Sequence, residues 1–272
     1  MHVVRILALL LATTTLTACL NSTTVVKVKP DGSGTVEQTT LVNTAALKGM
    51  MPGAAAKQSE GPVINREELE RTAARMGKGV RLVSAEKATG DPGFEGTKAI
   101  FAFDDINQIQ ISQDPNMSGG TGGGARLSTE PTSDDPVKFK FTRGATSSTL
   151  TINYIDRAPA GSDQPNAAGK GDMPDLTNPM IMNMLKTLFQ GFKINIGLEV
   201  VGNIVKTNAE YVSGPRITLL EMDIAELLSD ESKLRALQGK LGPDSSLSEV
   251  KPYLKDIKGI KIDGPSISVE FR

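Results

Sequence analysis

The chain has 272 residues, with 30 basic and 31 acidic side chains and a net charge of −1. That balance removes the electrostatic case for a nucleic-acid partner. One cysteine, one histidine and no tryptophan exclude an intramolecular disulfide and leave little room for thiol or imidazole chemistry.

The chain opens with Met1-His2-Val3-Val4-Arg5, then an apolar run from Ile6 to Leu11 and a softer stretch from Ala12 to Thr17. A positive start, a short apolar core and small residues after it form a secretory signal. The run is too short to cross a bilayer, which takes about 20 residues. Leu16-Thr17-Ala18-Cys19 resembles the bacterial lipobox. The resemblance implies cleavage between Ala18 and Cys19, a diacylglyceryl group on the Cys19 thiol and acylation of the new amine. Leu20 in the next position, where retention at the inner membrane would use Asp, implies an outer membrane facing the periplasm if the source has two membranes. The expected products are a signal peptide, residues 1–18, and a lipid-anchored mature chain, residues 19–272.

Cleavage would also remove His2, the only histidine. The mature chain then has no free thiol and no imidazole. Ser-His-Asp and Cys-His catalysis within the chain are excluded. Ordinary zinc sites and imidazole-held haem or copper are excluded too. No metal site, no cofactor and no catalytic residue are expected.

Thr23 to Lys29 alternates as a strand with Val26 and Val28 on one face, and Pro30-Asp31-Gly32-Ser33-Gly34 turns the chain into a returning strand, Thr35 to Leu41. Asp31 lacks the spaced acidic ligands and closing Glu of a calcium loop, so it belongs to the turn. Asn43 is placed to cap a short helix through Met50. Asn65-Arg66-Glu67-Glu68 has the form of a capping box, with Leu69, Ala73 and Met76 as the buried stripe and Gly77 and Gly79 as the stop. Val80 to Lys87 and Thr97 to Phe103 read as strands. Residues 113–136 and 158–172 lack apolar periodicity and read as flexible inserts. Between them Val137, Phe139 and Phe141, then Leu150, Ile152 and Tyr154, alternate with polar residues as a hairpin.

Asn178-Pro179 opens a helix in the preferred order of cap and first-turn proline. Met180, Ile181, Met184, Leu185, Leu188 and Phe189 form its apolar side, and Gly191 closes it. A half-buried strand runs from Ile194 to Val200 and another from Ile217 to Met222. Asp223 caps a helix carrying Leu227, Leu228, Leu234 and Leu237, and Ser246 to Glu249 is a further capping box. Strands near 260–262 and 267–271 finish the chain. This order predicts an α+β fold: a largely antiparallel sheet built from hairpins, with several helices packed on it.

Two stretches resemble uncharacterised bacterial lipoproteins: Val25-Val26-Lys27-Val28-Lys29-Pro30-Asp31-Gly32-Ser33-Gly34-Thr35-Val36, and Val201-Gly202-Asn203-Ile204-Val205-Lys206-Thr207-Asn208-Ala209 with the strand at Ile217. The arrangement is also distantly similar to the mycobacterial LppM-type lipoproteins, which begin with such a hairpin after the lipidated cysteine. It covers about a fifth of the chain, mainly turn residues that recur for backbone reasons. It brings no catalytic residue.

The remaining signals are weak. Gly120-Thr121-Gly122-Gly123-Gly124-Ala125 has no strand before it and no helix after it, so it is not a dinucleotide site. Gly169-Lys170-Gly171 lacks the spacing of a phosphate loop. Ser84-Ala85-Glu86-Lys87 and Ser248-Glu249-Val250-Lys251 match S-x-x-K only as text, without partner motifs. Asp104-Asp105 reads as a strand end or cap, and Asp134-Asp135 as a solvated loop. Met173, Met180, Met182 and Met184 cluster around one helix. Thioethers there could hold Cu(I) or an adaptable apolar partner, while core packing explains Met180 and Met184. Met182 points away from that face. Lys251, Lys255 and Lys258 read as a solvated helix face, with a weak basic face toward anionic headgroups as the alternative.

Three functions follow in order of expectation. The first is a membrane-anchored, non-enzymatic interaction or structural module with an envelope protein as partner. The second is a carrier whose hydrophobic ligand lies along Met180, Met184, Leu185 and Leu188. The third is a carboxylate-based hydrolase.

Overall fold

The computed structural model describes residues 20–44, 64–111, 137–153, 179–189, 191–230, 232, 234 and 247–272. The signal segment with Ala18 and Cys19, most of the short helix expected from Asn43 to Met50, and both inserts lie outside the described residues.

Strand β1 (Leu20–Val28) and strand β2 (Gly34–Asn43) pair antiparallel from Leu20↔Val42 to Val28↔Gly34. The turn between them is closed by Asp31, whose carboxylate accepts from the Ser33 amide at 3.0 Å and hydroxyl at 2.8 Å. Helix α1 (Arg66–Met76) starts where the Asn65 side chain accepts from the Glu68 amide, the cap expected from the sequence. Strands β3 (Arg81–Thr89) and β4 (Phe94–Phe103) follow, and β4 pairs with β2 along its whole length. A short 3-10 turn (Ile106–Gln108) leads to β5 (Gln110–Ile111).

Strands β6 (Val137–Arg143) and β7 (Ser148–Asn153) form the expected hairpin. After helix α2 (Pro179–Leu188) come β8 (Lys193–Val200), β9 (Ile204–Thr207), β10 (Val212–Ser213) and β11 (Arg216–Asp223). Helices α3 (Ile224–Ser229) and α4 (Leu247–Leu254) precede β12 (Ile260–Ile262) and β13 (Ser266–Phe271).

These strands make two sheets, which corrects the expectation of one largely antiparallel sheet. The larger has the order β10-β11-β8-β1-β2-β4-β3, with β12 added on β11. It is mixed, because β1 and β8 run parallel from Asn21↔Lys193 to Val28↔Val200. The smaller has the order β5-β6-β7-β13-β9 and is antiparallel throughout. The chain passes between the sheets several times, once between β8 and β9. Gly202 makes that step with φ 133°, and a Cβ there would lie 2.2 Å from the Arg272 carbonyl oxygen. Only glycine combines that backbone with that contact.

The sheets share one core. Val26, Val28, Val36, Phe101, Phe103, Leu198 and Ile217 of the larger sheet meet Phe139, Leu150, Ile152, Ile267, Val269 and Phe271 of the smaller. Side chains alternate across a strand, so these residues fix the inner face of each sheet. The shared core covers the half of the larger sheet that ends at the 30–33 turn.

Helix packing also departs from expectation. Leu69, Ala73 and Met76 of α1 do join the main core beside β3 and β4. Helix α2 instead packs on α3: Met182, Leu185 and Phe189 meet Ile224, Leu227, Leu228 and Leu234. This rotates its buried line. Met182, read from the sequence as pointing away, is only 4 % exposed, while Met180, assigned to the apolar face, is 80 % exposed. The partner is a neighbouring helix placed to one side, and the apolar periodicity of α2 alone did not reveal that.

Candidate functional site

The half of β1 nearest Leu20 departs from the apolar pattern. Ser22 and Thr24 have the same parity as Val26 and Val28, so their side chains project from the inner face. Both are 7 % exposed. Across the rungs of the sheet, Ser22 faces Thr40 and Thr24 faces Gln38 on β2, and Thr40 in turn faces Thr97 on β4. On the other side Ser22 and Thr24 stand beside Ile194 and Ile196 of β8. The inner surface here is a stripe of uncharged hydroxyl and amide groups with an apolar border.

Two helices pack elsewhere on the larger sheet. On one side α1 lies over β3 and β4. On the other, Leu254 and Ile257 pack on Leu220, Met222, Ile260 and Ile262. Among the described residues, neither the Ser22 nor the Thr24 hydroxyl has a hydrogen-bond partner. A buried polar group without a partner costs about 1–3 kcal/mol. Ser22 and Thr24 are thus desolvated hydroxyls that the described fold leaves unused, beside the half-buried Gln38, Thr40 and Thr97. Period-2 alternation contains the signal, since polar residues continue the inner parity of Val26 and Val28, but a strand end that turns polar also reads as a strand leaving the core.

The residues singled out from sequence are not brought together. Met180 is exposed, Leu185 is half-buried in the α2–α3 contact, and the side chains of Met184 and Leu188 lie outside the described residues. Asp104 is held by Arg81, whose guanidinium donates to both of its oxygens at 3.1 and 3.2 Å. Asp105 caps the 3-10 turn by accepting from the Asn107 amide at 2.9 Å. The pair therefore serves as strand end and cap. Ser84 and Lys87 lie on opposite faces of β3, and Lys251 is paired with Glu210 at 2.5 Å. Asp134, Asp135, Met173 and the two glycine-rich motifs lie outside the described residues. Among those residues no helix is long and apolar enough to cross a membrane.

The outer face of the larger sheet carries self-paired charges beside the buried Val25, Leu41 and Phe94. Lys27 bonds Glu37 at 2.7 Å, Lys193 bonds Asp223 at 3.1 Å, and Lys261 bonds Glu221 at 2.9 Å. The carboxylate partners hold the Lys27 and Lys193 ammonium groups above their ordinary range. Burial raises the Tyr211 phenol, and the Lys251 ammonium lowers the Glu210 carboxyl. The signs give a stability profile. The first three groups hold their protons more tightly when folded, so their contribution is complete below the unfolded values of 10.0 for Tyr and 10.5 for Lys and is lost as pH rises through the folded ones. Glu210 acts at the other end: its contribution is present above 4.5 and lost as pH falls through its lower folded value. Calorimetry is expected to show a Tm that falls above pH 10.0, with a shallower fall in a Tyr211→Phe, Lys193→Met variant. An identical alkaline limb in that variant would refute this assignment.

No family model matches the chain, and no curated protein does. Among solved structures it is similar to the NMR structure of the folded domain of the Mycobacterium tuberculosis protein LppM, at 9% sequence identity and a TM-score of 0.38, over 96% of this chain and 94% of that one.

Proposed function

We propose that the chain is an exported lipoprotein, held on an envelope membrane by a diacylglyceryl group on Cys19, whose folded part binds a partner without chemically changing it. The ligand that best fits the geometry is an uncharged amphiphile seated on the inner stripe, with its hydroxyl or carbonyl groups at Ser22 and Thr24 and its apolar part along Ile194 and Ile196. The observation carrying this reading is the pair of buried hydroxyls without partners beside that apolar border. A ligand that supplies hydrogen bonds there recovers their desolvation cost. The seat along α2 has less support, because Met182, Leu185 and Phe189 are already engaged with α3. A hydrolase has less still, since Asp104 and Asp105 are committed to Arg81 and a cap.

Thr24→Val separates these readings. It removes the hydroxyl and keeps the shape, so the Tm of the ligand-free protein is expected to hold or rise, because no partner is orphaned. Affinity for a fluorescent monoacylglycerol is expected to fall about tenfold, the worth of one hydrogen bond. An unchanged affinity, or no binding by the parent protein, would overturn the ligand reading. The anchor is tested separately by mass spectrometry of membrane-extracted protein. A chain that begins at Cys19 with a thioether-linked diacylglycerol is expected, along with release of Cys19→Ser from the membrane.

A further inference from the structure

Resting on the Cys19 anchor proposed above, we infer that one end of the larger sheet is the protein's membrane-contact surface, pressed against lipid headgroups with the strands directed away from the bilayer. The argument is one of reach. β1 begins at Leu20, so the lipidated residue is the immediate neighbour of a paired strand, about 3.8 Å away between Cα atoms. Leu20 is already in register with Val42. A lipoprotein domain on a long linker can tumble freely, whereas this one has no chain between lipid and sheet to allow it. The diacylglyceryl group therefore fixes where on the domain the bilayer lies.

The elements gathered at that end are set by the pairing. Asn43 faces Phe94 on β4, Asn21 stands beside Lys193 on β8, and Asp223 faces Lys193 from β11. The Thr44 amide and hydroxyl both donate to the Gly93 carbonyl, which brings the exposed 91–92 turn to this edge. The Ile224 amide donates to the Phe192 carbonyl. Phe192 and Phe189 form an edge-to-face pair with centroids 5.9 Å apart, and both are only half-buried. Lys193 pairs with Asp223 and Lys258 with Glu226 at the same edge. Half-exposed rings among ammonium groups suit the headgroup layer, where apolar rings and lysine stems meet polar lipid. The opposite end, with the 30–33 turn and Val201, lies roughly 26 Å away along β1 at the rise of an extended strand, and Val83, level with Val25 and Val26 through β4 and β2, lies roughly 18 Å along it.

The absence of tryptophan gives a clean test. Single tryptophans are placed at Phe192 and Pro92 on the near end, at Val201 on the far end and at Val83 in the far half of the sheet, in full-length lipidated protein. Each variant is reconstituted into phosphatidylcholine–phosphatidylglycerol vesicles carrying a headgroup spin label. Quenching and a blue shift are expected for Phe192→Trp and Pro92→Trp, and neither for Val83→Trp and Val201→Trp. Pro92 sits in an exposed turn, so that variant keeps the test standing if Phe192→Trp does not fold. A long Gly/Ser insert between Cys19 and Leu20 is expected to abolish the quenching at Pro92→Trp while the protein stays membrane-bound. Equal quenching at both ends of lipidated protein, or quenching indifferent to the insert, overturns this inference alone. Protein without lipid on Cys19 overturns the anchor reading, and this inference with it.

Discussion

Phe271→Ala is expected to destabilise the fold by about 3–5 kcal/mol, the usual cost of emptying a buried aromatic site. Phe271 is fully buried on β13, with its ring centroid 6.4 Å from that of Phe141. β13 lies between β7 and β9, so the residue sits inside the smaller sheet and in the core that both sheets share. The surrounding strands are tied by their ladders and cannot collapse into the space. Urea unfolding should show a lower midpoint, and thermal unfolding a Tm lower by on the order of 10 °C. A loss under about 1 kcal/mol would mean that the two sheets do not depend on one core.

Asp263→Ala is expected to cost about 2–4 kcal/mol, by a different route. This side chain is 3 % exposed and has no counter-ion among the described residues. Its carboxylate instead accepts from the Glu210 amide at 3.0 and 3.3 Å and from the Gly264 amide at 2.8 Å. The chain between β9 and β10 is fastened in this way to the segment joining β12 and β13. Alanine orphans two backbone donors, and each unmet donor carries its own desolvation cost. Asp263→Asn keeps one acceptor oxygen and should lose less. Hydrogen exchange at Glu210 and Gly264 should accelerate in the alanine variant before the rest of the sheet responds. Unchanged exchange at those two amides would disprove the fastening role.

Local chemistry was legible in the sequence wherever it sufficed to build the element. The Asp31 turn, the Asn65 cap, the Asp223 cap and the β6–β7 hairpin are set by neighbours within a few residues, and each occurs where it was read. Features that depend on distant partners were not legible. The parallel β1–β8 contact joins segments separated by most of the chain, and alternation within a strand does not reveal which strand lies beside it. β9 is four residues long, too short for alternation to mark it, and its partner β13 is distant in the chain. The face of α2 depended on α3, so an apolar run broad enough for two choices was assigned to the wrong one at Met180 and Met182. The Ser22–Thr24 stripe was hidden for a related reason. Its residues are unremarkable individually, and their meaning comes from burial without a partner, which alternation along one strand does not show.

The position of β1 also has a mechanical consequence. β1 is hydrogen-bonded along both edges, to β2 and to β8, over most of its nine residues. A force applied through its first residue acts along the strand and loads both ladders in shear, so many hydrogen bonds must fail together. Peeling from an edge strand would break them one at a time. An envelope protein attached at this point should resist extraction by pulling far better than the same domain attached at the outer strand β3.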